Sequence, residues 1–260
     1  MMRSRIARTF RELRGKNGKA FIPYIMAGDP NIKRTGELIR ILEDCGADVI
    51  ELGVPFSDPL ADGPTIQKAA QRARDEGITL RAVIGFVADI RKTTRIPIIL
   101  MTYYNPIFKY GEERFARDAS AAGVDGIIVP DLPPDEAGNL IRYTRKSGID
   151  TIFLLAPTST DTRIHRVART STGFIYYVPI TGITGSKLSL DLSVESHIAR
   201  IRSVTDKPVA VGFGISTPEE AAGISRFADG VIVGSAIVKR VQDPDAELKK
   251  YLLSLRNAVR

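Results

Sequence analysis

The sequence is poor in the side chains that bind transition metals or form disulfides. Its 260 residues include one cysteine and two histidines, which excludes an internal disulfide and a metal site built from several cysteines. Cys45 is predicted to be a small buried residue late in a helix. Both histidines fall in predicted helices, so neither a multi-histidine metal centre nor a Ser-His-Asp triad is expected.

Long apolar runs and concentrated patches of charge are also missing. No apolar run reaches the roughly 18 residues of a membrane-spanning helix. The net charge is +7, but the basic residues are spread over many helices without interleaved aromatics, which argues against nucleic-acid binding. The basic N-terminal segment, residues 1–19, has the composition of a targeting peptide. However, Ile6, Phe10 and Leu13 recur there at helical spacing, and we predict an amphipathic helix that covers one end of the fold.

The chain alternates between short β-branched runs and longer amphipathic segments. The runs are almost continuously apolar, as expected for strands buried on both faces of a parallel sheet. The strand candidates are residues 20–28, 48–55, 96–105, 125–133, 150–157, 173–180, 207–215 and 229–236. Helical patterns that end in Gly, Lys or Arg lie between them, and an additional helix is predicted over residues 79–93.

Eight strand–helix units in about 250 residues match the size of a (β/α)8 barrel. The sequence contains no linker and no break in composition. We therefore predict a single (β/α)8 TIM barrel domain over residues 1–260, with extra helices at the N-terminus and between strands two and three. A doubly wound open sheet is the alternative, and the lack of a GxGxxG motif after the first strand disfavours it.

Functional groups of such a barrel gather at the carboxyl ends of the strands. Glu51 stands in the apolar run of the second strand, where an ionised carboxylate is costly unless it is satisfied. It is either a structural acid held by the hydroxyl groups of Tyr24, Tyr103 or Tyr176, or a catalytic acid or base. No strand end carries a lysine for a Schiff base, and no set of strand-end ligands suggests a metal.

Three other carboxylates lie in loops after strands. Asp62 follows the second strand in a polar loop, where a turn or helix-capping role competes with a role in the site. Asp58, within Ser-Asp-Pro, has the context of a turn residue. Asp131 is a candidate cap for the helix that follows it.

The last three strands run into loops that contain glycine: TGITGSK, GFGIST and VGSAIVK. Glycine lets backbone N–H groups approach an anion closely, and a helix N-terminus adds a partial positive charge. Ser216 and Ser235 lie near helix starts in these loops, and barrels commonly bind phosphate after strands seven and eight. The loops therefore predict a phosphate site, with ordinary glycine turns as the alternative.

From FIPYIMAGDP to GSAIVK, the chain resembles the α subunit of tryptophan synthase. The segments that carry the resemblance, in family order and spacing, are FIPYIMAGDP, ELGVPFSDPLADGPTIQ, MTYYNPIFKYG, GVDGIIVPDLPPDE, TGITG, GFGIST and VGSAIVK. The resemblance implies a cytoplasmic lyase of L-tryptophan biosynthesis that cleaves indole-3-glycerol phosphate to indole and glyceraldehyde 3-phosphate. It implies no metal or organic cofactor and an α2β2 heterotetramer, with the β subunit bound near the loops after strands two and three and near residues 131–134.

The resemblance also implies roles for individual residues. Glu51 matches the general acid–base, and Asp62 matches the aspartate that binds the indole N–H. The apolar wall around the indole corresponds to Tyr24, Met101, Tyr103, Ile128, Leu154 and Ile232. Tyr176 matches a tyrosine close to the catalytic glutamate, and Thr184 matches a threonine of the lid after strand six. The phosphate ligands correspond to Gly185, Gly214, Gly234 and Ser235.

One position departs from the family pattern. Pro179 stands at the entry to the lid, where the family usually has serine, and proline stiffens the chain there. Two other hypotheses are a different phosphate-binding barrel, such as a sugar-phosphate isomerase or epimerase, and a scaffolding subunit without activity. The stretch ELGVPFSDPLADGP disfavours the first, and the presence of both Glu51 and Asp62 disfavours the second.

Overall fold

A computed structural model of the chain describes residues 4–179, 192–212 and 214–259. The strands of this part are β1 (Ala20–Met26), β2 (Ile50–Gly53), β3 (Ile98–Met101), β4 (Gly126–Ile128), β5 (Asp150–Ile152), β6 (Leu154–Leu155), β7 (Ile175–Tyr177), β8 (Val209–Gly212) and β9 (Gly230–Val233). They form one parallel sheet in the order β5-β4-β3-β2-β1-β9-β8-β7-β6. The two edge strands, β5 and β6, are consecutive pieces of one segment interrupted at Phe153. The sheet therefore curves back to the same segment and forms a nearly closed barrel.

The predicted (β/α)8 barrel is confirmed, and the fifth predicted strand, residues 150–157, is divided into β5 and β6. The helices are α1 (Arg5–Gly15), α2 (Ile32–Asp44), α3 (Pro64–Asp75), α4 (Leu80–Ile90), α5 (Tyr104–Tyr110), α6 (Glu112–Ala122), α7 (Gly138–Ser147), α8 (Asp161–Thr170), α9 (Leu192–Arg202), α10 (Pro218–Ser225), α11 (Ser235–Val238) and α12 (Asp245–Ala258). Helices α1 and α4 are the two predicted additions. In the part of the chain that the structure describes, no helix is long and apolar enough to cross a membrane.

Helix α1 covers the end of the barrel at which the strands begin, as its apolar spacing predicts. The Ser4 side chain accepts a hydrogen bond from the Ala7 N–H and so caps the helix start. Ile6 and Phe10 are buried in the cluster of side chains that fills the barrel interior. The rings of Phe10 and Phe174 lie 5.4 Å apart, which holds the helix against the beginning of β7.

The prediction for the third strand is wrong at its carboxyl end. Residues 96–105 are predicted to be one strand, but β3 ends at Met101, and Tyr103 is the N-cap residue of α5. Aromatic residues favour strands, which conceals the helix start in the sequence. Asp131 accepts a hydrogen bond from the Tyr104 N–H at 2.9 Å. Asp131 thus binds the start of α5, and the prediction that it caps the following helix is wrong.

The alternation of side chains along β2 places Glu51 inside the barrel. Val49 belongs to the interior cluster, and a residue two positions later points to the same face of the strand. Leu52 points outward and packs in the layer between sheet and helices. Glu51 is paired in register with Tyr24 of β1 and Ile99 of β3, so its side chain lies between two neighbouring strands of the interior.

A charged cluster joins the beginnings of β3 and β4 to the helices around them. The Asp125 carboxylate accepts a hydrogen bond from the Ile98 N–H and forms ion pairs with Arg91 and Arg5. Arg91 also donates to the carbonyl groups of Gly123 and Ile96. Arg91 and Asp125 are only 11% and 7% exposed. The loss of Arg91 would therefore remove one of the three donors to a buried carboxylate and leave two carbonyl groups without this donor.

Replacement of Arg91 by methionine should therefore destabilise the protein by about 3 kcal/mol, because Asp125 loses one of its two arginines and two carbonyl groups lose this donor. Urea unfolding followed by circular dichroism would measure the loss. The matched control is Lys92→Met, since the Lys92–Asp89 pair is about three-quarters exposed and should contribute less than about 1 kcal/mol. Equal losses for the two variants would contradict a structural role for the buried cluster.

Candidate active site

The carboxyl ends of the strands bring the predicted catalytic residues together. Glu51 lies on β2 and is 1% exposed. Asp62 lies in the loop between β2 and α3 and is half-buried. The negative charge of Asp62 raises the pKa of Glu51, which places the two carboxyl groups within interaction range of each other. The hydroxyl groups of Tyr24 and Tyr176 both lie within the field of the same two carboxylates.

The Glu51 carboxyl group has no hydrogen-bond partner for either oxygen among the described residues. The hypothesis that tyrosine hydroxyl groups hold it is therefore not supported by the described contacts. Burial first, and then the charge of Asp62, raises its pKa to about 8. At neutral pH the group is mostly protonated, so it is a proton donor inside an apolar chamber.

Asp62 has a defined partner in Tyr103. The Tyr103 hydroxyl donates a hydrogen bond to Asp62 Oδ2 at 3.2 Å and accepts one from the Ala61 N–H at 2.9 Å. The ring of Phe56 stacks on Tyr103 with centroids 5.2 Å apart. Burial raises the pKa of Asp62 to about 6, and the bond from Tyr103 works in the opposite direction. Asp62 is thus mostly ionised at the pH at which Glu51 holds its proton.

Two strand glycines make room for the tyrosine hydroxyl groups, and sequence reasoning did not find them. A Cβ atom on Gly53 would lie 2.1 Å from the Tyr24 hydroxyl oxygen, and one on Gly212 would lie 2.4 Å from that of Tyr176. Neither position tolerates a side chain without displacement of the tyrosine. A glycine in the interior of a strand was the available signal, since it often marks a close approach.

The apolar residues assigned to the indole wall lie around these carboxyl groups. Ile128 and Ile232 belong to the interior cluster, and Met101, Leu154 and Tyr176 pack against it. Tyr24 and Met101 also meet in a second cluster with residues of α3. Tyr103 is buried and contacts the loop of Asp62, as described above. The wall residues therefore come from β1, β3, β4, β6, β7 and β9, with Tyr103 from the start of α5.

The glycine-bearing loops follow β8 and β9 at the same end of the barrel. Gly214 has a φ of +73°, a conformation that favours glycine. Gly234 is the N-cap residue of α11, and Ser235 is its first residue and is exposed. Thr184 and Gly185 lie outside the described residues. Pro179 is buried just after β7, and the residues predicted to form a lid after it likewise lie outside the described part.

Asp58 differs from the other acids of its loop. Its carboxylate accepts a hydrogen bond from the neighbouring Ser57 hydroxyl at 2.6 Å, and both side chains are exposed. This local contact is the turn chemistry that its Ser-Asp-Pro context predicts. The candidate site accordingly includes Glu51 and Asp62 but not Asp58.

Comparisons with known proteins identify the family and agree with the fold. A family model described as tryptophan synthase alpha chain matches residues 10–259. Tryptophan synthase alpha chains of Geobacter sulfurreducens and Methylococcus capsulatus are 50% and 48% identical, over 98% and 99% of this chain and 99% and 98% of theirs. The crystal structure of the alpha subunit from Legionella pneumophila superposes with a TM-score of 0.91 at 40% identity, covering 98% of both chains. A tryptophan synthase structure from Mycobacterium tuberculosis has a TM-score of 0.92 at 37% identity, covering 99% of both.

The buried Glu51 should make stability depend on pH in a predictable direction. In the unfolded chain this carboxyl releases its proton near its usual pKa of 4.5, whereas the folded protein retains it to about pH 8. Between these values the unfolded state binds fewer protons, so the free energy of unfolding falls by roughly 1.4 kcal/mol per pH unit. Its favourable contribution is complete below pH 4.5 and has been lost above about pH 8.

The measurement is urea unfolding of the wild type and of Glu51→Gln at several pH values across this window. Since the glutamine side chain of the variant cannot ionise, the stability difference between the two proteins should widen steadily in favour of the variant as pH rises. Other titrating groups are common to both proteins and largely cancel. Parallel curves would mean that Glu51 titrates as it does in water.

Proposed function

The chain belongs to the tryptophan synthase alpha chain family, and we propose that Glu51 and Asp62 divide the chemistry of its reaction. The protein is a carbon–carbon lyase that cleaves indole-3-glycerol phosphate to indole and glyceraldehyde 3-phosphate. It supplies the indole to the β subunit of the tryptophan synthase complex. The observation that carries the proposal is a proton-bearing carboxyl group at Glu51 that has no partner among the described residues. It lies in an apolar chamber, within electrostatic range of an ionised carboxylate at Asp62.

Glu51 acts first as an acid and then as a base. Its carboxyl proton passes to C3 of the indole ring, and the ring becomes a cationic indolenine. The resulting carboxylate then accepts the proton of the side-chain hydroxyl group as the bond between C3 and the hydroxyl-bearing carbon breaks. The electron pair of that bond returns to the ring. Indole and the aldehyde are formed, and Glu51 again carries one proton, so the catalyst is restored.

Asp62 stabilises the charge that develops between these two proton transfers. Its carboxylate accepts a hydrogen bond from the indole N–H, which becomes more acidic in the cationic intermediate. For this role Asp62 must remain ionised while Glu51 remains protonated. The difference between pKa values of about 6 and about 8 supports that assignment. The hydrogen bond from Tyr103 supports it further, since it favours the ionised form of Asp62.

The remaining assigned residues bind the two ends of the substrate. We assign the indole ring to the wall of Tyr24, Met101, Tyr103, Ile128, Leu154, Tyr176 and Ile232, which is apolar apart from its tyrosine hydroxyl groups. We assign the phosphate to backbone N–H groups of the loops after β8 and β9, at Gly214, Gly234 and Ser235. We also assign Gly185 as a further phosphate ligand. Thr184 is assigned as a lid residue that contacts Asp62.

The β subunit is proposed to bind at the loops after β2 and β3 and near residues 131–134. Leu60 is 92% exposed and Phe108 is 66% exposed, and both lie on these loops or on α5. Large apolar side chains so exposed on a folded surface often mark an interface. The loop of Asp62 would then lie between the chamber and the partner.

We also propose that the chain forms one domain and works in the cytoplasm. The inclusion of all the described strands in one sheet supports the first statement. A role in amino-acid biosynthesis shared with bacterial relatives supports the second.

The roles of the two carboxylates predict the behaviour of conservative variants. In Glu51→Gln, which cannot transfer a proton, indole release should fall by about 10²- to 10⁴-fold. In Asp62→Asn the loss should be about 10²- to 10³-fold. Inhibition by glycerol 3-phosphate should be unchanged in both variants, which would show that the phosphate end still binds. Steady-state indole formation by the chain without the β subunit measures these effects.

Asp58→Asn is the matched control, since Asp58 is an exposed acid in the same loop. It should retain activity within about twofold, because surface substitutions have small effects. Wild-type turnover by Glu51→Gln, or an equal loss in Asp58→Asn, would exclude the proposed division of roles.

The phosphate assignment is tested by a negative charge at Ser235. This residue is exposed and begins α11, where an acidic side chain suits a helix start, so Ser235→Asp should fold normally. Repulsion of the phosphate should raise the KM for indole-3-glycerol phosphate and the inhibition constant of glycerol 3-phosphate by about tenfold or more. Thr162→Asp, at the exposed start of α8, controls for the added charge. Unchanged constants in Ser235→Asp would place the phosphate elsewhere.

A further inference from the structure

The two loops assigned to the phosphate are held by a side chain from the last helix. Ser216 follows Gly214 by two residues and is exposed, yet the polar groups of its backbone are both engaged. Its N–H donates to Glu220 Oε2 at 2.7 Å, and its carbonyl oxygen accepts a hydrogen bond from the Tyr251 hydroxyl at 2.8 Å. Tyr251 lies on α12, 35 residues further along the chain. The loop after β8 is thus fixed from two independent elements.

The Glu220 contact belongs to the start of α10. Glu220 Oε2 also accepts hydrogen bonds from the Ser216 hydroxyl at 3.0 Å and from the Thr217 N–H at 3.1 Å. The Thr217 side chain accepts a bond from the Glu220 N–H in return, which completes a capping box. This local motif fixes the helix start. It leaves the orientation of the Ser216 carbonyl to Tyr251.

The same tyrosine ring contacts the loop after β9 through an arginine. The guanidinium carbon of Arg240 lies 4.1 Å from the centroid of the Tyr251 ring, a cation–π contact. Arg240 Nη1 also donates to the carbonyl oxygen of Ala236 at 2.8 Å. Ala236 follows Ser235 directly in α11. Tyr251 therefore contacts the loop after β8 directly through its hydroxyl group, and it is linked to the start of α11, after β9, only through Arg240.

We infer that Tyr251 is a positioning residue for the phosphate of the substrate, an inference that rests on the proposed function. It acts through Ser216 and Arg240 to hold the two loops at a fixed separation, so that their N–H groups converge on one phosphate. Backbone donors bind an anion well only when their orientation is set before binding. Tyr251 itself does not contact the substrate.

The charges around Tyr251 suit this role. Burial, opposed by the positive charge of Arg240 and assisted by the negative charge of Glu220, raises the pKa of the Tyr251 hydroxyl. The hydroxyl therefore stays protonated at neutral pH, and it remains a hydrogen-bond donor to the Ser216 carbonyl there.

The test compares Tyr251→Phe with the wild type as full chains, both alone and in complex with the β subunit. The variant keeps the ring under Arg240 and loses only the hydrogen bond to Ser216. We expect a roughly two- to tenfold rise in the KM for indole-3-glycerol phosphate, as the loss of one such bond implies. The inhibition constant of glycerol 3-phosphate should rise by the same factor. The kcat for release of glyceraldehyde 3-phosphate and the inhibition constant of indole should stay at their wild-type values.

A second variant removes the other contact as well. Tyr251→Leu loses both the hydroxyl group and the ring that Arg240 covers. The inhibition constant of glycerol 3-phosphate should therefore rise by a larger factor than in Tyr251→Phe. The matched control is Tyr143→Phe on α7. Its ring also lies under an arginine, Arg142, at 4.7 Å, and its hydroxyl accepts a hydrogen bond at 2.9 Å from that same arginine. All constants of the control should equal those of the wild type.

The outcomes separate a positioning role from a general structural one. If Tyr251→Phe left the constants for both phosphate compounds unchanged, the inference would be wrong. It would also be wrong if kcat and the inhibition constant of indole changed by the same factor, because a loosened fold would then explain the effect. If Ser235→Asp weakens the binding of glycerol 3-phosphate and Tyr251→Phe does not, the phosphate assignment is supported and the role of Tyr251 is refuted. If neither variant weakens this binding, the phosphate assignment itself is refuted.

Discussion

The candidate site depends on one energetic conflict, the burial of an acid to which no described residue donates a hydrogen bond. Ionisation of Glu51 would place a charge among the apolar side chains of the barrel interior, with no hydrogen bond from any described residue. The protein avoids that cost by keeping the carboxyl group protonated, which its pKa of about 8 expresses. Because of this desolvation, Glu51 keeps its proton at neutral pH and can donate it.

The pKa of the second carboxyl group, Asp62, differs from that of Glu51 because the two groups have different surroundings. Asp62 lies on a loop rather than a strand, is only half-buried, and accepts a hydrogen bond from Tyr103. These differences hold its pKa below that of Glu51, so one group carries a proton while the other carries a charge. In the proposed mechanism, the strand fixes the proton-transferring group on rigid scaffold. The group proposed to stabilise charge lies on a loop next to the proposed β-subunit surface.

At the proposed phosphate site, backbone N–H groups rather than side chains are the groups that must be held in position. Gly214 and Ser235 are brought to the same end of the barrel by β8 and β9, but a loop built on glycine has little conformational preference of its own. In the inference drawn above, one hydrogen bond and one cation–π contact of Tyr251 hold these loops in a fixed arrangement. A helix at the end of the chain thus contributes to the order of a site formed by strands that precede it.

Several features of this protein followed from local sequence patterns. Continuous apolar runs predicted the barrel strands, because a strand buried on both faces is apolar at nearly every position. Apolar residues at helical spacing predicted α1 and α4, because a surface helix is buried on one face only. The position of Glu51 inside a continuous apolar run made it a candidate catalytic residue. The glycine loops after the last strands predicted a phosphate site. The family resemblance supplied the reaction and the role of Asp62. Local patterns misjudged the end of β3, where Tyr103 and Tyr104 suited a strand but Asp131 binds the start of a helix.

Other features were decided only by tertiary structure. The sequence could not tell whether tyrosine hydroxyl groups satisfy Glu51, because that depends on side-chain directions across neighbouring strands. It did not pair Tyr103 with Asp62, 41 residues apart, or Tyr251 with Ser216, 35 residues apart. It also did not reveal that Gly53 makes room for Tyr24. Periodicity records which face of an element is buried, whereas contacts between distant residues arise only when the packed barrel brings those faces together.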